Sequence, residues 1–156
     1  MPSLLATVSL ISYRQLGKIK GLTSLIMDSK SCFYVLNPQK NLDRTQKYFQ
    51  NIFSQIPSWE GIIAQPPTEE ECADGLQTHH LFIYCGHGNG KEYIKNDFIR
   101  KIDCSAVVML MGCHSAKLHN YDSVDPMGTV LYYLLSGCPS IVANLWGVTD
   151  KDIDKF

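Results

Sequence analysis

No apolar run in this chain approaches the ~18 residues of a membrane-spanning helix, and no charge excess marks out a partner. With 14 basic and 15 acidic residues the net charge is −1. No bulk field therefore draws the chain to nucleic acid or to a lipid surface. Internal repeats and low-complexity tracts are missing too, which leaves out solenoids and compositional linkers. The N-terminal MPSLLATVSLIS is mildly apolar, yet it has no basic opening and no small-residue cleavage site, so it does not read as a secretory signal. Six cysteines are present (Cys32, Cys72, Cys85, Cys104, Cys113, Cys138), but no tight spacing frames them. Several lie in or beside apolar strand-like runs, which points to reduced, buried thiols of an intracellular protein rather than disulfides.

What is present is enough for one compact α/β domain. Hydrophobic residues make up 45% of 156 positions, sufficient to bury a real core. Residues 1–30 mix short apolar runs with Gly17 and Gly21 and read as a flank of uncertain structure. The organised domain is expected over 31–156. The chain closes on Asp152–Phe156, inside what reads as a starting helix, so the domain is expected to be truncated there.

From Ser31 onward, strands and helices alternate. Cys32–Leu36 reads as a strand closed by Asn37-Pro38. Leu42, Phe49, Ile52, Phe53 and Ile56 fall on one helical face, with Asn41 as the expected N-cap. Trp59–Ala64 is a second strand, and Thr68-x-x-Glu71 is a capping box opening a second helix. His80–Cys85 is a third strand, followed by a glycine-rich loop. A short helix over Asp97–Ile102 leads to an Ala106–Met111 strand. Asp125-Pro126 reads as a helix start and Gly137 with Pro139 as its stop. Ser140–Trp146 is the last strand, and Thr149 or Asp150 caps a terminal helix. Such alternation, with unbroken apolar strands, predicts a mostly parallel sheet with helices on both faces.

In such sheets ligands sit at the carboxyl ends of strands, where two segments present reactive groups. HLFIYCGHGNG places His87 between Gly86 and Gly88, and AVVMLMGCHS places Cys113 directly after Gly112. A thiol and an imidazole at one sheet edge form the pair that nucleophilic catalysis needs. Taken singly, each residue is more often structural: a buried cysteine, or a loop histidine bonded to backbone. Gly112 before Cys113 and His114-Ser115 after it read as an exposed turn rather than continuing core, which favours chemistry. The Gly88 and Cys113 N–H groups are candidate donors to a tetrahedral oxyanion, each worth ~3 kcal/mol. No third member of the pair is evident.

Three competing readings are weaker. The glycine loop with Lys91 fails the Walker template, which needs glycine at Cys85 and Ser or Thr at Glu92, and it fails the dinucleotide fingerprint. Cys85, His87, Cys113 and His114 are possible zinc ligands, but without the spacing of a closed site. A catalytically silent scaffold is the third, since a fold does not by itself imply activity. No metal and no cofactor is expected. Trp146 is the expected wall of a substrate pocket. Asp150 or Asp154 would select a basic side chain, arginine above lysine, although Asp150 also suits a helix N-cap.

Taken together, three motif runs resemble the separase family. They are Tyr84-x-Gly86-His87-Gly88-x-Gly90, Leu110-Met111-Gly112-Cys113-x-Ser115-Ala116, and Asn144-Leu145-Trp146-x-Val148-Thr149-Asp150-Lys151-Asp152-Ile153-Asp154. Tyr34–Pro38, Asn41-Leu42, Thr45-Gln46 and Trp59-x-Gly61 add to the likeness, which runs from about Ser31 to the end. The resemblance implies a caspase-like fold and a cysteine endopeptidase with His87 and Cys113 as its dyad. It implies cleavage of the kleisin subunit of cohesin after arginine at anaphase, inhibition by a securin-like partner, and action in cytoplasm and nucleus. The alternatives are another caspase-like, repeat-associated protease or an inactive caspase-like scaffold. Two positions depart from the family's pattern: His114 stands where serine is usual, and Gly147 where aspartate is usual.

Overall fold

The structure, a computed structural model, describes residues 28–121, 124–147 and 149. Its sheet is built around β3 (Leu81–Cys85), which is buried at every residue. An unbroken apolar run such as LFIYC needs cover on both faces, and a central parallel position supplies it. β1 (Cys32–Leu36) pairs parallel on one side, with Leu36 opposite Cys85, and β4 (Val107–Leu110) on the other, with Tyr84 opposite Leu110. β2 (Trp59–Ile63) and β7 (Ile141–Ala143) complete a parallel sheet of order β2-β1-β3-β4-β7.

Side chains alternate across this sheet with period two. Cys32, Tyr34, Leu36, Leu81, Ile83 and Cys85 pack on one face against Phe53 of α1 (Asp43–Phe53). Val35, Phe82, Tyr84, Val108 and Leu110 pack on the other. There they meet Cys72 and Leu76 of α2 (Glu69–Thr78), Ile99 of α3 (Asn96–Ile99) and Tyr133 of α4 (Thr129–Leu135). Each large side chain so buried contributes about 1.5–3 kcal/mol. This is the expected three-layer α/β architecture, with helices on both faces. The capping box forms as its sequence predicts: Glu71 N–H donates to Thr68 Oγ1 and Thr68 N–H to Glu71 Oε2.

Two local expectations are corrected. Asp125-Pro126 does not open a helix. It lies in β6 (Val124–Met127), which pairs antiparallel with β5 (His119–Tyr121) as a separate ribbon. A two-stranded ribbon leaves one edge of each strand unpaired, so proline's missing N–H is tolerated there. The helix starts at Thr129 instead, after Gly128, where a Cβ would stand 2.6 Å from the Lys117 carbonyl oxygen. Asn41 is not the N-cap of α1 either. Leu42 holds that position without a side-chain cap, and its own N–H donates to Asn37 Oδ1. The last strand ends at Ala143, so Trp146 lies in the loop beyond it. Asp150 and Asp154, the terminal helix and nearly all of the 1–30 flank lie outside the described residues.

Candidate active site

β2 and β3 flank β1 on opposite sides, so the chain changes direction between β1 and β3. The crevice outside the carboxyl ends of strands at such a point is where open α/β sheets place ligands. Two loops meet there, residues 37–41 after β1 and 86–90 after β3.

The first loop is organised by Asn37. Its φ is +51°, a left-handed conformation that asparagine tolerates better than most residues. Its side chain is 1% exposed. Oδ1 accepts from the N–H groups of Asn41 (3.0 Å) and Leu42 (2.9 Å), and Nδ2 donates to Gln46 Oε1 at 2.7 Å. Its own N–H donates to the Cys85 carbonyl at 2.8 Å, so the loop is tied to the end of β3. Asn37→Ala would strand the buried Leu42 N–H and the part-buried Asn41 N–H, and a loss of about 2–4 kcal/mol is expected. Urea denaturation, comparing midpoints at equal m-value, measures it.

Held in this way, Asn41 turns its amide to the second loop. Its Oδ1 lies 3.1 Å from His87 Nε2. An amide oxygen only accepts, so Nε2 carries the proton and donates, leaving Nδ1 for another partner. His87 is exposed. Its carbonyl accepts from the Tyr84 hydroxyl at 2.9 Å. Burial pushes that phenol above its ordinary range, so it stays a donor across the working pH. Asn89 Nδ2 donates to Thr129 Oγ1 at 2.7 Å and anchors the loop to the start of α4.

Cys113 follows β4. Tyr84 and Leu110 are register partners, and His87 and Cys113 each lie three residues beyond that pair. The two turns are in backbone contact at Gly112. A Cβ there would stand 2.0 Å from Gly88 O, 2.6 Å from Gly86 O and 2.8 Å from Gly88 N. The Gly88 N–H, with φ +61°, thus lies directly beside the Cys113 turn. Cys113 is half-buried and the other five cysteines are buried. Burial pushes the Cys32 thiol up to about 12; burial and then the Glu71 and Glu69 carboxylates push Cys72 up to about 12. A hydrogen bond with Cys104, followed by burial, raises Cys138. These thiols stay protonated and unreactive.

The turn is fastened to the end of β7 by Ser115, which is fully buried and not the exposed turn residue its context suggested. Its hydroxyl donates to Leu110 O (2.8 Å) and accepts from Asn144 N–H (3.0 Å), while Asn144 Nδ2 donates to Gly112 O at 3.3 Å. Beyond it, Trp146 is 67% exposed. Its carbonyl accepts from the His114 N–H at 3.1 Å, so the loop expected to form a pocket wall borders the thiol's own turn. Among the described residues no three His, Cys, Asp or Glu side chains gather as a metal site, and Cys85 packs on the face opposite Tyr84.

Sequence reasoning gave Asn37, Asn41, Ser115 and Asn144 no role in the site, although all four fall within the motif runs. An asparagine before an amphipathic helix looks like a cap, and nothing in the spacing shows that the helix begins one residue later with the Asn41 amide turned to His87.

The family model described as "Separin, protease domain" matches residues 1–153 and so takes in the N-terminal flank. Separin of Emericella nidulans is 42% identical over 134 residues, which is 86% of this chain and 6% of that protein. Mouse separin is 37% identical over 150 residues, 94% of this chain and 7% of that protein. Separin of Saccharomyces cerevisiae is 43% identical over 126 residues, 78% of this chain and 8% of that protein. In the Saccharomyces cerevisiae separase–securin complex at 2.6 Å, the matching chain superposes with a TM-score of 0.82 at 36% identity, covering 99% of this chain and 10% of that one. The chain therefore spans under a tenth of the length of these curated relatives.

Proposed function

This chain belongs to the separin protease-domain family, and on that premise we propose that it is the catalytic segment of a cysteine endopeptidase with Cys113 as nucleophile and His87 as acid and base. The observation that carries the reading is the backbone contact of the two turns at Gly112, with Asn41 bonded to the far nitrogen of His87. Nδ1 of His87 takes the thiol proton, and the Cys113 thiolate attacks the scissile carbonyl. The oxyanion is held by the Gly88 and Cys113 N–H groups. The imidazolium then protonates the leaving amine, and water hydrolyses the thioester with His87 as base. Asn41 keeps Nε2 protonated and the ring oriented.

The substrate in this reading is the kleisin subunit of cohesin, cut after arginine at anaphase. Trp146 and one of Asp150 and Asp154 form the pocket for the guanidinium. Support comes from the family membership and from the exposure of Trp146 beside the thiol's turn. A securin-like protein is the proposed inhibitor, as the solved relative is a separase–securin complex. The cytoplasm and nucleus are the proposed sites of action. No cofactor enters this mechanism.

The test is cleavage of an arginine-containing kleisin peptide by the protein and by His87→Ala and Asn41→Ala variants. His87→Ala is expected to remove activity. Asn41 acts through His87 and is exposed, so Asn41→Ala should cost about 10–100-fold in kcat with stability changed by under ~0.5 kcal/mol. Its kcat/KM should also show a displaced acid limb. An Asn41→Ala protein with the parent's rate and pH profile would remove Asn41 from the mechanism.

A further inference from the structure

His114 has a left-handed backbone, φ +56°, and an exposed side chain. Its ring lies over Gly147. A Cβ at that glycine would stand 3.2 Å from Nε2 and 3.7 Å from Cε1 of the imidazole. Gly147 is not among the glycines with positive φ, so its backbone does not call for glycine. What the missing side chain provides is room for the ring. His114 also binds the same loop through its N–H to the Trp146 carbonyl. The imidazole stands between the Cys113 turn and the Trp146 loop, at the open end of the strands.

We propose that His114 is a specificity-determining residue whose imidazole lines the pocket for the side chain preceding the scissile bond and reads its charge. The proposal rests on the peptidase reading above. In its neutral form the ring offers a guanidinium a planar, partly polar wall. In its protonated form it sets a like charge against that guanidinium. Imidazoles change charge within the physiological window, so discrimination for a cationic side chain weakens as pH falls. The titratable groups to weigh are Cys113 on its own turn, His87 on the facing loop, Lys117, whose N–H donates to the His114 carbonyl, and the Asp150 or Asp154 carboxylate proposed above for the same pocket, which His114→Gln leaves in place. Residues 145–147 of the packed loop carry no charge.

Two peptides that differ only at that position, arginine against its neutral isostere citrulline, isolate the effect. Effects of pH that act equally on both peptides cancel in the ratio of their kcat/KM values. Between pH 7.5 and pH 5.5 the arginine-to-citrulline ratio is expected to fall about three- to tenfold in the parent protein, the effect of one added unit charge near the surface. In His114→Gln the ratio should stay flat. A flat ratio in the parent, or an equal fall in both proteins, overturns the proposal, and the first outcome needs no variant. If neither peptide is cut, the peptidase reading fails first and this one with it.

Discussion

Cys113→Ser is expected to lower kcat/KM toward an arginine-containing kleisin peptide by at least about a thousandfold, with the unfolding midpoint unchanged. A hydroxyl is a far weaker nucleophile than a thiol near neutral pH, and an imidazole placed to take a thiol proton does not offset the difference. The fold should not register the change. Cys113 is half-buried at a turn, and serine is smaller and equally able to occupy it. Peptide cleavage followed by chromatography measures the rate, and thermal unfolding measures the second quantity. A Cys113→Ser protein that cut as fast as the parent would leave the thiol without a role.

Gly112→Ala carries the second large effect, and it tests geometry rather than chemistry. The new Cβ would meet Gly88 O, Gly86 O and Gly88 N at 2.0, 2.6 and 2.8 Å. All three are backbone atoms, so no side chain can swing aside. The His87 loop must retreat from the Cys113 turn by about an ångström, and a displacement of that size costs about a hundredfold in rate. The retreat is resisted on both sides, by Tyr84 holding the His87 carbonyl and by Asn144 and Ser115 holding the Gly112 carbonyl. A stability loss of about 1–3 kcal/mol should follow. The expected pattern is a protein that still folds at low temperature, binds substrate and cleaves at least about a hundredfold more slowly. Parent-like turnover would mean that the close approach of the two loops does not matter for catalysis.

The strand ends are legible in the sequence because LFIYC and VVML are apolar without a break and stop at glycine. Such runs fit a central parallel sheet, and a parallel sheet sends its reactive loops to one edge. The register partners Tyr84 and Leu110 then bring His87 and Cys113 level. Asn41 was not legible as the partner of His87, because an asparagine before an amphipathic helix has two outlets for its amide. Asn37, in the left-handed turn after β1, fixes the N–H groups of Asn41 and Leu42, the helix begins one residue later than the spacing suggests, and the Asn41 amide is turned to His87. Asp125-Pro126 misled for a similar reason: the dipeptide suits a helix start or an unpaired strand edge, and the ribbon with β5 decides between them. Ser115 looked like a turn residue. Its hydroxyl is instead the link between Leu110 and Asn144, which only the pairing of β4 with β7 creates.

The relation of His114 to Gly147 is visible only in three dimensions. His114 and Gly147 are distant in sequence, but the ring of one occupies the space left by the other.

The central claim is that Cys113 is the nucleophile and His87 its activator. An arginyl acyloxymethyl ketone tests this most directly, because a thiolate displaces the carboxylate and keeps the label as a thioether. Mass spectrometry should find one label per chain, on Cys113, with labelling slowed at least about a hundredfold in His87→Ala. Label on Cys32, Cys72, Cys85, Cys104 or Cys138, or an equal rate in His87→Ala, would contradict the account.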